Sequence, residues 1–387
     1  MNAGRFVLSQ VLDLVHRQTL ERLACRYGAE ERVRHFGCRQ QLICMVFAQL
    51  TWRESLRDIE ACLNAQTDTR YHLGFSRPVA RTTLAEANES RDWRLWRDLA
   101  LGLVGKARRL YAGDDLGIEL ADTVYALDST TIDLSLALFG WADFRSTKAG
   151  IKMHTQLDLR GPIPTVIDVT PARRHDVRWL DELAFEPGAF YLMDRGYVDF
   201  ARLARMAAAG AFFVIRAKDN LRFARHRSQP IDRACGLRSD HLGKLALADS
   251  RLAFPWPLRK VRFFDGETRR TLVFLTNHLD LPALTVPRLY KMRWEVELFF
   301  RWIKQHLRIK HFYGNSANAV KSQIWIAVAV YLMVAILHKE LKFPGTLYRT
   351  LQILSVHPFE KVPLLELLTD SDRRSGDQPD CNQLLLW

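Results

Sequence analysis

The hydrophobic pattern of the chain changes near residue 120, and this change constrains the fold more than any other feature. Before it, apolar residues recur at helical spacing, and 42–50 is an apolar helical segment. After it come short runs rich in β-branched and aromatic residues, which are typical of buried strands. Two of these runs, 123–128 and 189–194, end in the carboxylates Asp128 and Asp194. The pattern therefore predicts helices up to about residue 115 and a mixed α/β domain after about residue 120.

The order of the predicted elements narrows the fold class. After a strand at 123–128 come strands at 151–159 and 163–169, a helix at about 177–185, a strand at 189–194, a helix at about 200–209 and a strand at 211–216. This β-β-β-α-β-α-β order combines antiparallel hairpins with parallel crossovers. It is the order of a ribonuclease-H-like domain, which we predict for 120–216 together with 285–345.

The segment 217–284 interrupts that order and is predicted to be a β-rich insertion. It is basic, with 13 Lys and Arg against 7 Asp and Glu. Its later half is typical of a hairpin, with strands at 258–264 and 271–277 around a turn at 265–267.

Residues 1–115 are predicted to form an N-terminal helical domain. Short helices at 56–63 and 79–88 would make a DNA-binding helix-turn-helix, with Arg81 at the start of the second helix. Any small helical bundle has a similar pattern, so this role is left open. The C-terminal segment, 346–387, is predicted to have a flexible, polar end.

The net charge of the chain is +13, from 56 Lys and Arg against 43 Asp and Glu. Such a surplus favours an anionic partner, either nucleic acid or a membrane surface. The longest apolar run, 324–337, is too short to span a bilayer, so we predict a buried core helix and no membrane partner. The first residues lack a signal-peptide pattern and the cysteine spacing matches no zinc site, which together predict a reducing compartment.

Two long helices are predicted after the insertion, at about 286–308 and 317–340. The first carries four polar side chains at offsets of 0, 3, 7 and 14, namely Tyr290, Arg293, Glu297 and Lys304. At about 100° per residue these side chains share one stripe roughly 60° wide, opposite an apolar face. A lone Glu on a helix is usually solvated, whereas one flanked by Tyr, Arg and Lys predicts a surface that handles anions.

Asp128 and Asp194 are predicted to meet, because their strands are neighbours in a ribonuclease-H-like sheet. A carboxylate from a late helix, Glu297, can complete the cluster. Three adjacent carboxylates repel one another unless cations lie between them, and their hard oxygens select Mg²⁺ or Mn²⁺. Two such ions would support phosphoryl transfer. The alternative for either aspartate alone is a turn former at the end of a strand.

The spacing Tyr290-x2-Arg293-x3-Glu297-x6-Lys304 resembles the Tyr-Arg-Glu-Lys signature of bacterial insertion-sequence transposases with an Asp-Asp-Glu active site. That family also carries a β-strand insertion before its glutamate.

Further segments resemble motifs of the same family. Residues 127–131 and 193–197 are similar to its first and second acidic motifs, and 148–154 and 311–316 also resemble family segments. The resemblance extends over about 120–340.

The resemblance implies a role for each matching residue. Asp128, Asp194 and Glu297 would be the catalytic residues and would hold two Mg²⁺ or Mn²⁺ ions. Tyr290, Arg293 and Lys304 would contact DNA phosphates, and Lys148 and Lys152 could approach DNA near the first aspartate. Some relatives use a tryptophan of the insertion to hold a flipped base, and Trp256, the only tryptophan of this insertion, is the candidate for that role. A hydrophobic plug is the preferred alternative.

The implied function is that of a DNA transposase, which cleaves the phosphodiester at transposon ends and joins the 3′-hydroxyl to target DNA. Its partners would be the double-stranded inverted repeats, the target DNA and a second copy of the chain in a synaptic complex, in the bacterial cytoplasm with the nucleoid. Two alternatives are a nuclease of the same fold without strand transfer and a non-catalytic DNA-binding regulator.

Overall fold

Strands replace helices at Val124, close to the predicted change of pattern. In the computed structural model the described residues are 4–369 except 32, 136–137, 146–147 and 308–311, and no side chain is described at 143–145 or 148. They form two compact units. The helical unit comprises Met1–Tyr111 and Arg301–Trp387, and the sheet unit comprises Ala112–Phe300. This division differs from the prediction at residues 301–345. These residues were predicted to belong to the ribonuclease-H-like domain, whereas the structure groups them with the N-terminal helices.

The sheet unit contains one mixed ten-stranded sheet. Its strands are β1 (Val124–Leu134), β2 (Asp143–Arg145), β3 (Lys148–Asp158), β4 (Ile163–Pro171), β5 (Phe190–Met193), β6 (Phe212–Arg216), β7 (Phe223–Ser228), β8 (Leu237–Leu245), β9 (Leu258–Asp265) and β10 (Arg270–Thr276). The order is β2-β3-β1-β5-β6-β10-β9-β8-β7, and β4 also pairs with β3. Strands β1, β3 and β4 are antiparallel neighbours, whereas β1, β5 and β6 are parallel.

The parallel strands need crossover connections, and the chain supplies a helix for each one. A 3₁₀ helix (Asp176–Glu182) lies between β4 and β5, and α8 (Phe200–Ala208) lies between β5 and β6. The α-helix predicted at 177–185 is thus a shorter 3₁₀ helix. Both connections pack apolar side chains, such as Trp179 and Leu203, into one core with the strands.

The strands of 217–284 continue the sheet outward from β6. Strand β10 pairs with β6 and β9, and β8 links β9 to β7, all antiparallel. The predicted hairpin is confirmed, with its strands at β9 and β10. A short helix, α9 (Ala248–Ala253), precedes β9. Leu258 and Leu275 join the core of the preceding strands, so this segment extends the sheet and the core.

The helix predicted at 286–308 is interrupted at one residue. The structure has α10 (Thr285–Met292) and α11 (Trp294–His306), separated by Arg293. Around the break the hydrogen bonds span three residues, from Arg293 N to Tyr290 O and from Val296 N to Arg293 O. The prediction of one continuous helix is therefore wrong, because the backbone tightens locally at Arg293.

The helical unit confirms the predicted α-helical character of the N-terminal region. Its helices are α1 (Val7–Leu12), α2 (Arg17–Arg26), α3 (Cys38–Leu50), α4 (Leu56–Asn64), α5 (Thr67–His72), α6 (Arg81–Ser90), α7 (Arg94–Tyr111), α12 (Ala317–Glu340) and α13 (Leu347–Val356). The predicted helices at 56–63 and 79–88 correspond to α4 and α6, with the additional helix α5 between them. Helix α12 is long and apolar enough to cross a membrane, but 94% of its apolar window is buried, as in a core helix.

Candidate active site

Asp128 and Asp194 are brought together by the parallel pairing of β1 and β5. The register aligns Leu127 with Met193, so the next residue on each strand is an aspartate at the same edge. Asp194 follows the last residue of β5. Asp128 does not end its strand, since β1 continues to Leu134 along β3. The turn-former alternative for Asp128 is therefore wrong, and the side chain lies where β1 loses its partner β5.

The guanidinium of Arg293 links two of the three predicted carboxylates. Its Nη1 donates to Asp128 Oδ2 at 2.7 Å, and its Nη2 donates to Glu297 Oε1 at 2.8 Å. Only 13% of the Arg293 side chain is exposed. The hydroxyl of Tyr290 donates to Asp194 Oδ1 at 3.0 Å. The polar side chains at the α10–α11 junction thus contact both strand positions.

Burial and neighbouring charges shift the pKa values at this cluster. Burial raises the pKa of Asp128 to about 6, Arg293 opposes that shift, and the charges of Glu297 and Asp194 add to it. Burial also raises the pKa of Tyr290 to about 12. For Arg293, burial favours the neutral form, but the attraction of Asp128 and of Glu297 outweighs it and the pKa is raised. The guanidinium therefore stays charged between the carboxylates.

The donor set fits a hard divalent cation, because the three side chains offer only carboxylate oxygens. Arg293 now lies between Asp128 and Glu297. Within the described part of the chain, no three Asp, Glu, His or Cys side chains form a group that could hold a metal ion. A positive charge at this position is thus supplied by the protein itself.

The other predicted DNA contacts lie in several places. Lys304 is on α11, two turns after Glu297, in the part of the helix that belongs to the helical unit. The Lys152 ammonium is 3.0 Å from Asp176 Oδ1 and donates to Arg174 O at 2.9 Å, with 14% of the side chain exposed. Lys152 therefore contributes to an internal ion pair.

Two further predicted contacts lie on exposed surface. Trp256 is 45% exposed and packs edge-on against Phe254. Arg81 is exposed at the first turn of α6. The side chain of Lys148 and all of His311 fall outside the described residues.

Two polar residues beside Asp128, Ser129 and Asp176, were not singled out from the sequence. The Ser129 amide donates to Asp128 Oδ1 at 2.8 Å, and the Ser129 hydroxyl donates to Asp176 Oδ1 at 2.6 Å. His154 is fully buried and stacks on Trp179. Asp176 starts a short connecting helix and has no distinguishing local pattern, so its contact with Ser129 could be found only in the folded chain.

The site region coincides with the matched part of a known family. The family described as Transposase DDE domain matches residues 119–333, which is more than half of the chain. A family described only as a domain of unknown function matches residues 3–76.

Curated relatives carry transposase designations. A Sinorhizobium fredii protein is 38% identical over 215 residues, which are 54% of this chain and 59% of the relative. A Geobacillus stearothermophilus protein, designated for an insertion sequence element, is 28% identical over 220 residues, or 56% of this chain and 57% of the relative. The chain thus spans less than two thirds of these two relatives. A Synechocystis protein with a similar designation is 21% identical over 75% of this chain and 81% of its own length.

Among solved structures, a piggyBac transposase synaptic complex with hairpin DNA has a TM-score of 0.47 and 9% identity. The comparison covers 98% of this chain and 84% of that one.

Proposed function

Since this chain belongs to the Transposase DDE domain family, we propose that it is a DNA transposase of the cut-and-paste type. It would cleave the phosphodiester at the ends of its element and join the free 3′-hydroxyl to target DNA. The observation that carries this proposal is that Arg293 joins Asp128 to Glu297, while Tyr290 contacts Asp194 at the neighbouring strand position. Two carboxylates at neighbouring strand positions, a third on α11 and the guanidinium of Arg293 suit the chemistry of a phosphate ester.

The strand order supports a ribonuclease-H-like fold for the catalytic part. Within the larger sheet, β4-β3-β1-β5-β6 has three antiparallel neighbours followed by two parallel ones. Numbered along the chain without the short β2, this is the order 3-2-1-4-5. We assign the β-strand insertion to 217–284 on the same basis, because its strands pair beyond β6.

Asp128, Asp194 and Glu297 would hold two Mg²⁺ or Mn²⁺ ions. Such ions, when bound, activate the attacking oxygen and stabilise the leaving oxygen of phosphoryl transfer. Arg293 pairs with both Asp128 and Glu297, so the oxygens of these two carboxylates are held near each other before a metal ion binds. Tyr290 holds the Asp194 carboxylate through its hydroxyl, which orients that group relative to the other two.

Arg293 has a second task in this proposal, which is to bind DNA. Its five N–H donors can bind a phosphate as well as a carboxylate, since both offer two oxygens that accept parallel N–H bonds. Tyr290 and Lys304 would add phosphate contacts from the same pair of helices. The net charge of +13 suits a duplex partner, and two chains would assemble on paired ends in the bacterial cytoplasm.

The proposal is tested with a duplex that carries the inverted repeats flanking the coding sequence. We expect Mg²⁺-dependent cleavage and a joined product with the wild type. Asp128→Asn should lower the cleavage rate on the order of a thousandfold, because each metal contact supplies several kcal/mol to the transition state. Asp133→Asn is the matched control, since Asp133 is exposed on the same strand.

Equal cleavage by the wild type and Asp128→Asn would overturn the site assignment. Cleavage without a joined product would indicate a nuclease, and tight end binding without cleavage would indicate a regulator.

A further inference from the structure

The carboxylate of Asp176 is the centre of a polar cluster beside Asp128. It accepts from the Ser129 hydroxyl at 2.6 Å and pairs with the Lys152 ammonium at 3.0 Å. The Nδ1 atom of His154 is 3.8 Å away, which is too long for a hydrogen bond. We call these four residues the Asp176 cluster.

Ser129 connects this cluster to the candidate active site, because its side chain contacts Asp176 and its backbone contacts Asp128. Its side chain is held by Asp176, while its backbone amide donates to Asp128 Oδ1 at 2.8 Å. Strand β5 ends at Met193, so β1 has no parallel partner opposite Ser129. The amide is therefore available to the Asp128 carboxylate, and whatever fixes Ser129 also fixes the donor that orients Asp128.

Asp176 itself is held from both sides. It is the first residue of the 3₁₀ helix Asp176–Glu182, whose Trp179 and Leu180 are fully buried in the core. Lys152 is tied to Arg174 O as well as to Asp176, so its ammonium stays in place and balances the added negative charge.

Three buried aromatic rings surround this cluster. His154 stacks on Trp179 with 5.4 Å between ring centroids, and its Nε2 is 3.0 Å from Thr170 Oγ1. The hydroxyl of Tyr197 is buried beside Ser129 without a well-formed hydrogen bond. The cluster is thus packed against buried aromatic side chains.

We propose that Asp176 is a positioning residue, which fixes Ser129 and thereby the orientation of the Asp128 carboxylate. The inference rests on the proposed function, since it assigns to Asp128 a role in holding a metal ion. Lys152 then acts as the counterion of Asp176 and does not contact DNA. A change at Asp176 should alter the affinity of the site for metal without removing any ligand.

The test compares four single variants and one double variant of the full chain with the wild type. Asp176→Ala removes the acceptor, Ser129→Ala removes the donor, and Ser129→Thr keeps a hydroxyl. Asp181→Asn is the matched control, because Asp181 lies on the same 3₁₀ helix but pairs with Arg202 and Arg205 instead. The readouts are Mn²⁺ affinity of the DNA-free protein by electron paramagnetic resonance, cleavage rate and thermal unfolding.

We expect Asp176→Ala and Ser129→Ala to weaken Mn²⁺ binding and to slow cleavage by roughly 10- to 100-fold, the usual effect of losing an outer hydrogen bond at a metal site. Ser129→Thr and Asp181→Asn should stay near the wild type. The double variant Asp176→Ala/Ser129→Ala should be no worse than the more damaged single variant, because both changes break one connection.

Wild-type Mn²⁺ affinity in Asp176→Ala would overturn the inference, and so would equal damage by Ser129→Thr and Ser129→Ala. If Asp176→Ala does not fold, the two Ser129 variants still decide the question. The proposed function fails separately, if wild type and Asp128→Asn cleave alike. If those two differ as expected but the Asp176 and Ser129 variants match the wild type, only the positioning role is lost.

Discussion

The side chain of Arg293 supplies the positive charge that two neighbouring carboxylates need. It donates to Asp128 and Glu297 at 2.7 and 2.8 Å, and those two groups would otherwise repel each other. A single residue thus serves as the resident cation of the site when no metal ion is bound. Bound ions and Arg293 would compete for the same carboxylate oxygens, so stability and metal binding should be linked.

Arg293→Ala should therefore destabilise the metal-free protein and make its stability more dependent on Mn²⁺. We expect a loss of roughly 2–3 kcal/mol in the free energy of unfolding, because two partly buried carboxylates lose their partner. Added Mn²⁺ should restore more stability in the variant than in the wild type. Urea unfolding with and without Mn²⁺ measures both effects.

Arg195→Ala is the control for Arg293→Ala. Arg195 is half-exposed, and its distance of 3.7 Å from the exposed Asp219 indicates a weak pair. Unfolding free energies of Arg293→Ala that match those of the control, with and without Mn²⁺, would contradict the role of the guanidinium.

A second prediction at the residue scale concerns His154 and the pH dependence of the free energy of unfolding. Burial lowers its pKa to about 4, with Lys152 and Arg174 adding to the shift and Asp176 and Glu182 opposing it. The unfolded chain binds this proton near pH 6.5, so the folded state holds fewer protons between pH 6.5 and 4. Stability from this residue is complete above about pH 6.5 and falls by up to about 3 kcal/mol as the pH drops towards 4.

Replacement by glutamine should remove that part of the pH dependence. Unfolding free energies of His154→Gln and the wild type, measured between pH 7 and pH 5, give the difference in slope. The exposed His175 provides the control variant, His175→Gln, which removes an imidazole outside the core. Identical slopes for all three proteins would contradict this prediction, because they would show that the folded protein binds the His154 proton as readily as the unfolded chain does.

At the scale of elements, the strands and hairpin were predictable because their signals are local. Strand β5 is a continuous apolar run that is buried at every position, and the β9–β10 hairpin has a turn between two β-rich runs. The pairing of β10 with β6 was not predictable, because partner choice depends on burial of a face shared by residues about 60 positions apart.

The candidate site was likewise predictable where its signal is local and not where it depends on residues distant in sequence. The four-residue spacing on the helix identified Glu297 and Arg293, although the helix is interrupted between Tyr290 and Glu297. A helical projection treats the backbone as regular and cannot show a tightened turn. Asp176 escaped notice because its hydrogen bond reaches Ser129, 47 residues earlier.

The outer strands are joined by a buried ion pair whose loss should be costly. Asp240 on β8 accepts from Arg259 on β9 at 2.9 and 2.6 Å, and both side chains are almost fully buried. Asp240→Ala leaves a buried guanidinium without its counterion, so we expect a loss of about 3–5 kcal/mol in urea unfolding. The double variant Asp240→Leu/Arg259→Met should recover most of this loss.

The exposed pair of Glu267 and Lys291 is the comparison for that ion pair. Glu267→Ala should change the free energy of unfolding by less than about 1 kcal/mol. A loss of similar size in Asp240→Ala and Glu267→Ala would mean that burial of the Asp240 pair has no energetic consequence.

At the scale of the whole molecule, the positive charge is concentrated in two segments. Residues 1–112 hold 18 basic and 12 acidic side chains, and 217–284 hold 13 basic and 7 acidic ones, so most of the surplus of +13 lies there. Asp128, Asp194 and Glu297 belong to neither segment. The chain thus separates the groups that attract a polyanion from the carboxylates that would repel it.

The outer strands present part of this charge on one face. Arg225, His241, Lys260 and Arg262 lie on adjacent strands, with His241 paired to Lys260 and Ser239 to Arg262. Burial lowers the pKa of Lys260, and the charges of Arg262 and Arg225 lower it further. Like charges this close cost free energy in the isolated protein, and phosphates would remove that cost.

We therefore expect Arg225→Gln/Arg262→Gln to weaken binding to any duplex, with or without the element's ends. Arg225 and Arg262 are exposed, and within the described ranges neither forms an ion pair with a carboxylate. Each lost phosphate contact should reduce the slope of log K against log salt by about 0.9, or close to 2 for the pair. Fluorescence anisotropy across a salt series measures the slope.

Arg202→Gln removes the same kind of charge from internal pairs with Asp181 and Asp199, so its slope should stay at the wild-type value. Equal slopes for the wild type and the double variant would place the duplex on another surface.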